Sequence, residues 1–189
     1  MANVLIVYAS DRGSTEKMAK AVADGVATVS GAKATVKKAE EATADDVVAA
    51  DALILGSPVH MGSVDWRVKR FIDHVCSQLW MGDKIIGKVG AVFATGGGYG
   101  SAGGGCELNM LAMMSNLAEL GLLLVPLPKN TPGYAKGGLQ WGPYGRSMTE
   151  DLEPFEGGVP DERIEAARHH GANVARVADA VNGKTLFAT

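Results

Sequence analysis

The hydrophobic pattern changes period repeatedly along the chain. Val4–Tyr8 is an unbroken apolar, β-rich run, as expected of a parallel strand buried on both faces. Met18, Val22 and Val26 then recur at helical spacing with Ala19 and Ala23 beside them, which predicts a helix with one apolar stripe. Ala34–Lys38 reads as a second strand whose polar content places it at a sheet edge. A short helix over Thr43–Ala49 leads to a further buried strand at Ala52–Gly56. Across Val64–Leu79 the apolar positions Val64, Val68, Phe71, Val75 and Leu79 share one helical face, with Asp65, Lys69 and Arg70 outward. Val89–Thr95 is a fourth strand, Glu107–Leu120 a helix and Leu122–Pro126 a fifth strand. The closing helix runs from Asp161 to Asn182, with Gly183 placed to cap it. Five strands alternating with helices predict an α/β fold with a doubly wound parallel sheet.

Composition narrows the class. The 189 residues suit one domain over 1–189. Eighteen basic against 21 acidic residues give a net charge of −3, too balanced for nucleic acid or an anionic membrane as partner. No apolar run approaches the roughly 20 residues that span a bilayer. The apolar start at Val4–Val7 is too short for a signal peptide and lacks a basic leader. Cys76 and Cys106 offer neither a disulfide framework nor metal-ligand spacing, so no metal is expected and the protein reads as cytoplasmic. The 25 glycines are the one excess, and they gather in loops.

In doubly wound sheets the ligand sits beyond the carboxyl ends of the strands, and three loops there are unusual. The first is Ser10-Asp11-Arg12-Gly13-Ser14-Thr15. Hydroxyls at Ser10, Ser14 and Thr15, with amides at a helix N-terminus, suit a phosphate, and Gly13 permits a close turn. The alternative is a plain helix cap. A phosphate signature after the first strand favours the strand order 2-1-3-4-5. The second loop is Ser57-Pro58-Val59-His60-Met61-Gly62-Ser63, where Pro58 and Gly62 shape a turn able to bring backbone to the edge of a flat ring. Alone, it reads as an ordinary strand-to-helix turn, and His60 reads as a loop residue contacting ligand or solvent rather than as a proton shuttle. The third runs Thr95-Gly96-Gly97-Gly98-Tyr99-Gly100 and on to Gly105, backbone bare enough to approach a planar ligand. Its G-x-G-x-x-G match at Gly98, Gly100 and Gly103 follows the fourth strand rather than the first, so it is not the dinucleotide fingerprint.

Together these loops resemble the WrbA-type NAD(P)H:quinone oxidoreductases of the flavodoxin-like superfamily, and the similarity runs essentially end to end. The resemblance implies a flavodoxin-like sheet and one FMN. Its phosphate would lie on Ser10–Thr15, its ring against Pro58–Gly62, and its pyrimidine side against Thr95–Gly100. In Leu79-Trp80-Met81-Gly82 such proteins place an aromatic residue beside the flavin; a core residue closing the third helix is the other reading of Trp80. The match continues in Gly142-Pro143-Tyr144-Gly145 and Arg168–Gly171. This chain departs from the pattern in three places. Arg12 stands where the family has an aromatic residue near the nicotinamide site, Val59-His60-Met61 replaces a Thr-Arg-Phe run, and Glu119-Leu120 replaces a His-His pair.

The implied activity is reduction of quinones by NAD(P)H in two-electron, ping-pong steps, with the cofactor carrying the chemistry and no catalytic side chain required. Arg12 and Trp80 are the candidate substrate-binding residues. The competing reading is an electron-transfer flavodoxin, but such carriers are strongly acidic and often sandwich the ring between two aromatics. Three features remain. Lys129–Val159, with Tyr134, Trp141, Pro143 and Tyr144, reads as irregular: an ordered cap or a mobile surface loop. Cys106, at a helix N-terminus, is either an activated thiolate or a buried, inert thiol. Leu108, Met110, Leu111, Met113, Met114 and Leu117 wrap almost fully round their helix, which predicts a homo-oligomer, a tetramer by the resemblance.

Overall fold

The computed structural model describes residues 1–100 and 103–187. Its centre is β1 (Asn3–Tyr8), which pairs in parallel with β2 (Lys33–Lys38) on one side and β3 (Ala52–His60) on the other. Beyond β3 lies β5 (Val89–Gly96), again parallel. This is the flavodoxin-like, doubly wound order, and β2 is the half-exposed edge that its polar content predicts.

Side chains alternate across the sheet, as the strand period demands. Val4, Ile6, Ile54, Ala91 and Phe93 pack under α1 (Ser14–Ala27) and α7 (Asp161–Val181), against Met18, Val22, Ile164 and Val174. Leu5, Val7, Leu53, Leu55, Val92 and Ala94 face the opposite layer, against Val68, Phe71, Met110, Met113 and Leu117. That layer includes α2 (Ala44–Ala49) and α5 (Cys106–Glu119).

The fifth position of the sheet differs from the expected Leu122–Pro126 strand. It is filled in two pieces: β6 (Leu123–Leu124) pairs with Val89 and Gly90, and β8 (Gly142–Arg146) pairs with Ala94, Thr95 and Gly96, both in parallel. Pro126 and Pro128 cannot donate to a ladder, so the chain leaves the sheet and returns. The expectation that Lys129–Val159 lacks regular structure is therefore corrected. The excursion forms α6 (Tyr134–Gly137) and a small hairpin of β7 (Gly138–Leu139) with β8.

The segment expected as one helix over Val64–Leu79 also differs. It opens as β4 (Ser63–Val64), paired antiparallel with Val59 and His60 through a two-residue turn at Met61-Gly62. Asp65 then caps α3 (Trp66–Phe71), accepting from the Arg67 amide at 2.8 Å, and is buried rather than outward. One π-helical turn at Ile72–Cys76 joins α3 to α4 (Ser77–Met81). A cap position overrides the helical period here: the carboxylate turns back onto the first turn's free amides.

Candidate active site

The three strand-end loops converge on one cavity of about 490 Å³, within the range of small-molecule sites. In the first loop Gly13 adopts φ +82°, a left-handed conformation that ends the turn and starts α1. The helix has no side-chain cap, so the hydroxyls are not spent on capping. Ser10 Oγ accepts from the Gly13 amide at 3.1 Å, and Ser10, Ser14 and Thr15 all line the cavity. Thr15 Oγ1 shares a buried 2.7 Å hydrogen bond with Thr95 Oγ1. Lys17 Nζ donates to Val159 O at 2.8 Å and pairs with Asp161 at 3.3 Å, drawing the chain before α7 over this loop.

The second loop is the β3–β4 hairpin. Pro58, Val59 and His60 line the cavity, while Met61 projects fully into solvent at φ +48° and Gly62 completes the turn at φ +78°. Asn109 of α5 steadies its base, Nδ2 donating to Pro58 O at 3.0 Å.

In the third loop Thr95, Gly96 and Gly97 line the cavity. A Cβ on Gly97 would stand 2.7 Å from Met148 Sδ, so a side chain there would have to displace the Met148 thioether. Tyr144 Oη donates toward Gly96 O at 3.2 Å and Gly97 O at 3.1 Å, and burial pushes its phenol up to about 12. Arg146 Nη2 donates to Gly98 O at 3.0 Å and also holds Gly100 O. Gly98 and Gly100 are thus tied from beneath, outside the lining, and Tyr99 stands in solvent. Ser101 and Ala102 lie outside the described residues.

A charge cluster sits where the first two loops meet. Arg67 grips buried Asp65 in a fork, Nε to Oδ1 at 2.9 Å and Nη2 to Oδ2 at 2.7 Å, and reaches Asp11 Oδ1 at 2.8 Å. His60 joins the same carboxylates, Nδ1 to Asp65 Oδ2 at 2.9 Å and Nε2 to Asp11 Oδ2 at 3.2 Å. Burial pushes the Asp65 carboxyl up, but Arg67, its amide and His60 outweigh this and hold it below the usual range. The ligand atoms of Asp11, His60 and Asp65 lie within 4.8 Å of one another, as metal ligands would, but the Arg67 guanidinium already occupies both carboxylates.

Of the residues expected at the cofactor, Ser10, Arg12, Ser14, Thr15, Pro58, Val59, His60, Thr95, Gly96 and Gly97 are brought together. Gly13, Met61, Gly62, Gly98, Tyr99 and Gly100 shape the loops from outside the lining. Trp80 is elsewhere, which corrects its placement beside this chain's own cavity. The α3–α4 segment runs back from the carboxyl edge of the sheet, so Trp80 ends at the opposite edge, lining a separate pocket with Ile86, Glu119, Leu120 and Phe187. Sequence reasoning missed Met148, Pro154, Phe155 and Gly158, which complete the cavity wall from the return after β8. They sit in an aperiodic stretch, and only the Pro-Phe pair beside a double glycine offered a signal. Cys106 is buried and its thiol is pushed up by that burial, so it is the inert alternative.

The donor set fits FMN: three clustered hydroxyls at a helix start for the phosphate, and a slot between the hairpin and the glycine loop for a flat ring. A Cβ built on Gly13 meets nothing within 4 Å, so the phosphate turn stands open.

A flavodoxin-domain family model matches residues 5–90. An NAD(P)H dehydrogenase (quinone) of Rhizobium rhizogenes is 34% identical over 204 aligned positions, 94% of this chain and 98% of that one. One from Paracoccus denitrificans is 31% identical, with 96% of each chain covered. A flavodoxin of Aquifex aeolicus is 40% identical, but over 66% of this chain and 64% of its own length. Among solved structures, a WrbA-like flavodoxin protein from Agrobacterium tumefaciens superposes with a TM-score of 0.69 at 27% identity, covering 95% of this chain and 99% of that one. Full-length similarity of this degree, on the fold and loops described above, means that the chain belongs to the WrbA-type NAD(P)H dehydrogenase (quinone) family of flavodoxin-like proteins.

Proposed function

We propose that this protein is an FMN-dependent NAD(P)H:quinone oxidoreductase. The observation that carries the reading is the single cavity where Ser10–Thr15, Pro58–His60 and Thr95–Gly97 meet at the carboxyl edge of the sheet. Ser10, Ser14 and Thr15 hold the phosphate, and the hairpin and glycine loop hold the ring. Bound FMN supplies the two-electron relay from nicotinamide to quinone. The protein's part is to orient that ring, keep one face open and exclude water from the other. Arg12 is exposed at the cavity rim and has no ion-pair partner among the described residues, so it is available to the phosphates of NAD(P)H.

The same reading includes self-association. Trp80, Met81, Ile86, Leu108, Leu111 and Phe187 leave apolar surface exposed. A tetramer in which another subunit covers that surface would bury Trp80 as well. Among the described residues no helix is long and apolar enough to cross a membrane. The free cysteines fit a reducing compartment, so a cytoplasmic location belongs to the proposal.

The 40% identity to a flavodoxin over part of the chain favours a second reading, a single-electron carrier between proteins. Its net charge of −3 gives little field for docking such partners. Anaerobic stopped-flow mixing with NADH and NADPH, followed by benzoquinone, separates the two. We expect rapid bleaching of the flavin by at least one nucleotide and rapid reoxidation by the quinone. Slow or absent bleaching by both would overturn the reductase in favour of the carrier.

A further inference from the structure

We propose that His60 is the acid that delivers a proton to the acceptor at this cavity, with Asp65 as its positioning residue; the inference rests on the quinone-reductase reading above. Reducing a quinone to its hydroquinone takes up two electrons and two protons. A hydride equivalent derived from NAD(P)H accounts for both electrons and one proton. The second proton must come from a group at the cavity or from water.

Among the described residues lining the cavity, three side chains carry ionisable groups: Asp11, Arg12 and His60. At neutral pH an aspartate paired with a guanidinium has no proton to give, and an arginine does not release one. Only an imidazole exchanges protons near neutrality. The serine and threonine hydroxyls are far weaker acids.

His60 is also held as a donor should be. Asp65 is fully buried, and the Arg67 fork fixes both its oxygens, so its Oδ2 stays aimed at His60 Nδ1 at 2.9 Å. That contact sets the ring's orientation and keeps a proton on Nδ1. The other nitrogen, Nε2, faces the solvent-accessible carboxylate of Asp11 at 3.2 Å. Asp11 keeps its Arg67 partner at 2.8 Å when an acceptor oxygen takes over Nε2–H, so the exchange strands no charge. As the acceptor's O–H bond forms, the Nε2–H bond breaks, and neutral His60 keeps Nδ1–H on Asp65. Its ring is 45% exposed, so water reloads it. The charges that face the imidazole are Asp11 from the first loop, Asp65 from the helix cap and Arg67 from α3, with Glu40 3.9 Å from that guanidinium.

The test compares acceptors that differ in proton demand. NAD(P)H-driven benzoquinone reduction by the unmodified protein tests the parent reading by itself. In His60→Gln, we expect the quinone step to slow by about a hundredfold, the low end of what a lost general acid costs, and its decline at alkaline pH to flatten. Ferricyanide reduction, which takes up no proton, should slow far less, so the benzoquinone-to-ferricyanide rate ratio should fall by about tenfold or more. A readout independent of turnover is the imidazole nitrogen NMR titration of the oxidised holoprotein. Asp65→Asn should change the His60 nitrogen resonances and slow the quinone step more than the ferricyanide step. Equal losses on both acceptors would mean that His60 only shapes the loop, and unchanged quinone reduction would mean that water supplies the proton; either result overturns the proposal.

Discussion

Thr15 Oγ1 and Thr95 Oγ1 meet at 2.7 Å, a buried hydrogen bond that fastens the phosphate turn to the end of β5 across 80 residues. Each hydroxyl has one proton to donate and two lone pairs, so Thr15 can donate to a phosphate while accepting from Thr95, which fixes its rotamer. Thr95→Val should therefore loosen Thr15 without itself removing a phosphate contact, and weaken FMN binding by roughly fivefold to tenfold, the value of one hydrogen bond. Ser14→Ala with Thr15→Ala removes charge-assisted bonds directly and should cost at least about tenfold. Equilibrium titration of the FMN-free protein measures both. Unchanged affinity in the double variant would place the phosphate elsewhere.

The crossing of α1 and α7 depends on two reciprocal glycines. A Cβ on Gly25 would stand 1.8 Å from Arg168 O, and one on Gly171 would stand 2.0 Å from Val22 O. Both obstacles are backbone, which cannot rotate away as a side chain can. Gly171→Ala should destabilise the protein by about 3 kcal/mol, the upper part of the usual overpacking range, despite alanine's better helix propensity. The double variant with Gly25→Ala should lose less than the sum, because one displacement of the helices relieves both clashes. Urea unfolding midpoints at fixed FMN concentration test this.

Runs such as Val4–Tyr8 and Ala52–Gly56 have only one comfortable place in an α/β protein, between two helical layers, so the order of the sheet was legible from the chain. The turn proposed to hold the phosphate was legible as a cavity-lining turn, because its pattern is local: hydroxyls and a glycine within six residues. What the pattern hid was set by distant partners. Asp65 falls on the outward side of a helical wheel, yet its burial follows from His60 and Arg67 converging on a cap. The split fifth strand depends on where the chain returns after Pro126 and Pro128, which periodicity does not encode. Phe155 and Met148 reach the cavity only because β8 delivers the following residues there. Trp80 was misplaced for a simpler reason: a helix that starts at the carboxyl edge of the sheet ends at the other edge.

Met61 is a non-glycine residue at φ +48° with its side chain entirely in solvent. With Gly62 at φ +78° it forms the left-handed pair that a two-residue hairpin requires, a place where Asn-Gly is favoured. Methionine there carries a backbone cost of roughly 1–2 kcal/mol and gains no packing in return. Met61→Asn should raise stability by about 1 kcal/mol in a denaturant titration of the FMN-free protein. If stability fell instead, the Met61 side chain would have a partner, such as a neighbouring subunit, that offsets the strain.

His170 sits on α7 with no exposed surface, and neither ring nitrogen reaches a hydrogen-bond partner in good geometry among the described residues. Burial pushes its imidazole down to about 4, with the Val92 backbone pulling weakly the other way. The folded protein therefore prefers the neutral ring. Above about pH 6.5 both folded and unfolded chains hold it neutral and pH has no effect through this residue. Below that the unfolded chain takes up a proton that the folded one refuses, so stability falls as pH drops, until the folded ring also titrates near 4. The interval of roughly 2.5 units at about 1.4 kcal/mol each makes the full loss about 3 kcal/mol. Asp46, held down to about 2 by Lys37 and Thr43, weakens the fold in a separate window, between its ordinary value near 3.8 and 2. His170→Gln keeps a polar group of similar reach that does not titrate, so it should flatten the decline between pH 6.5 and 4.5 while leaving the more acidic loss in place. Urea midpoints of the two proteins across that range decide the matter: parallel curves would mean that His170 takes up its proton in the folded state as readily as in the unfolded one.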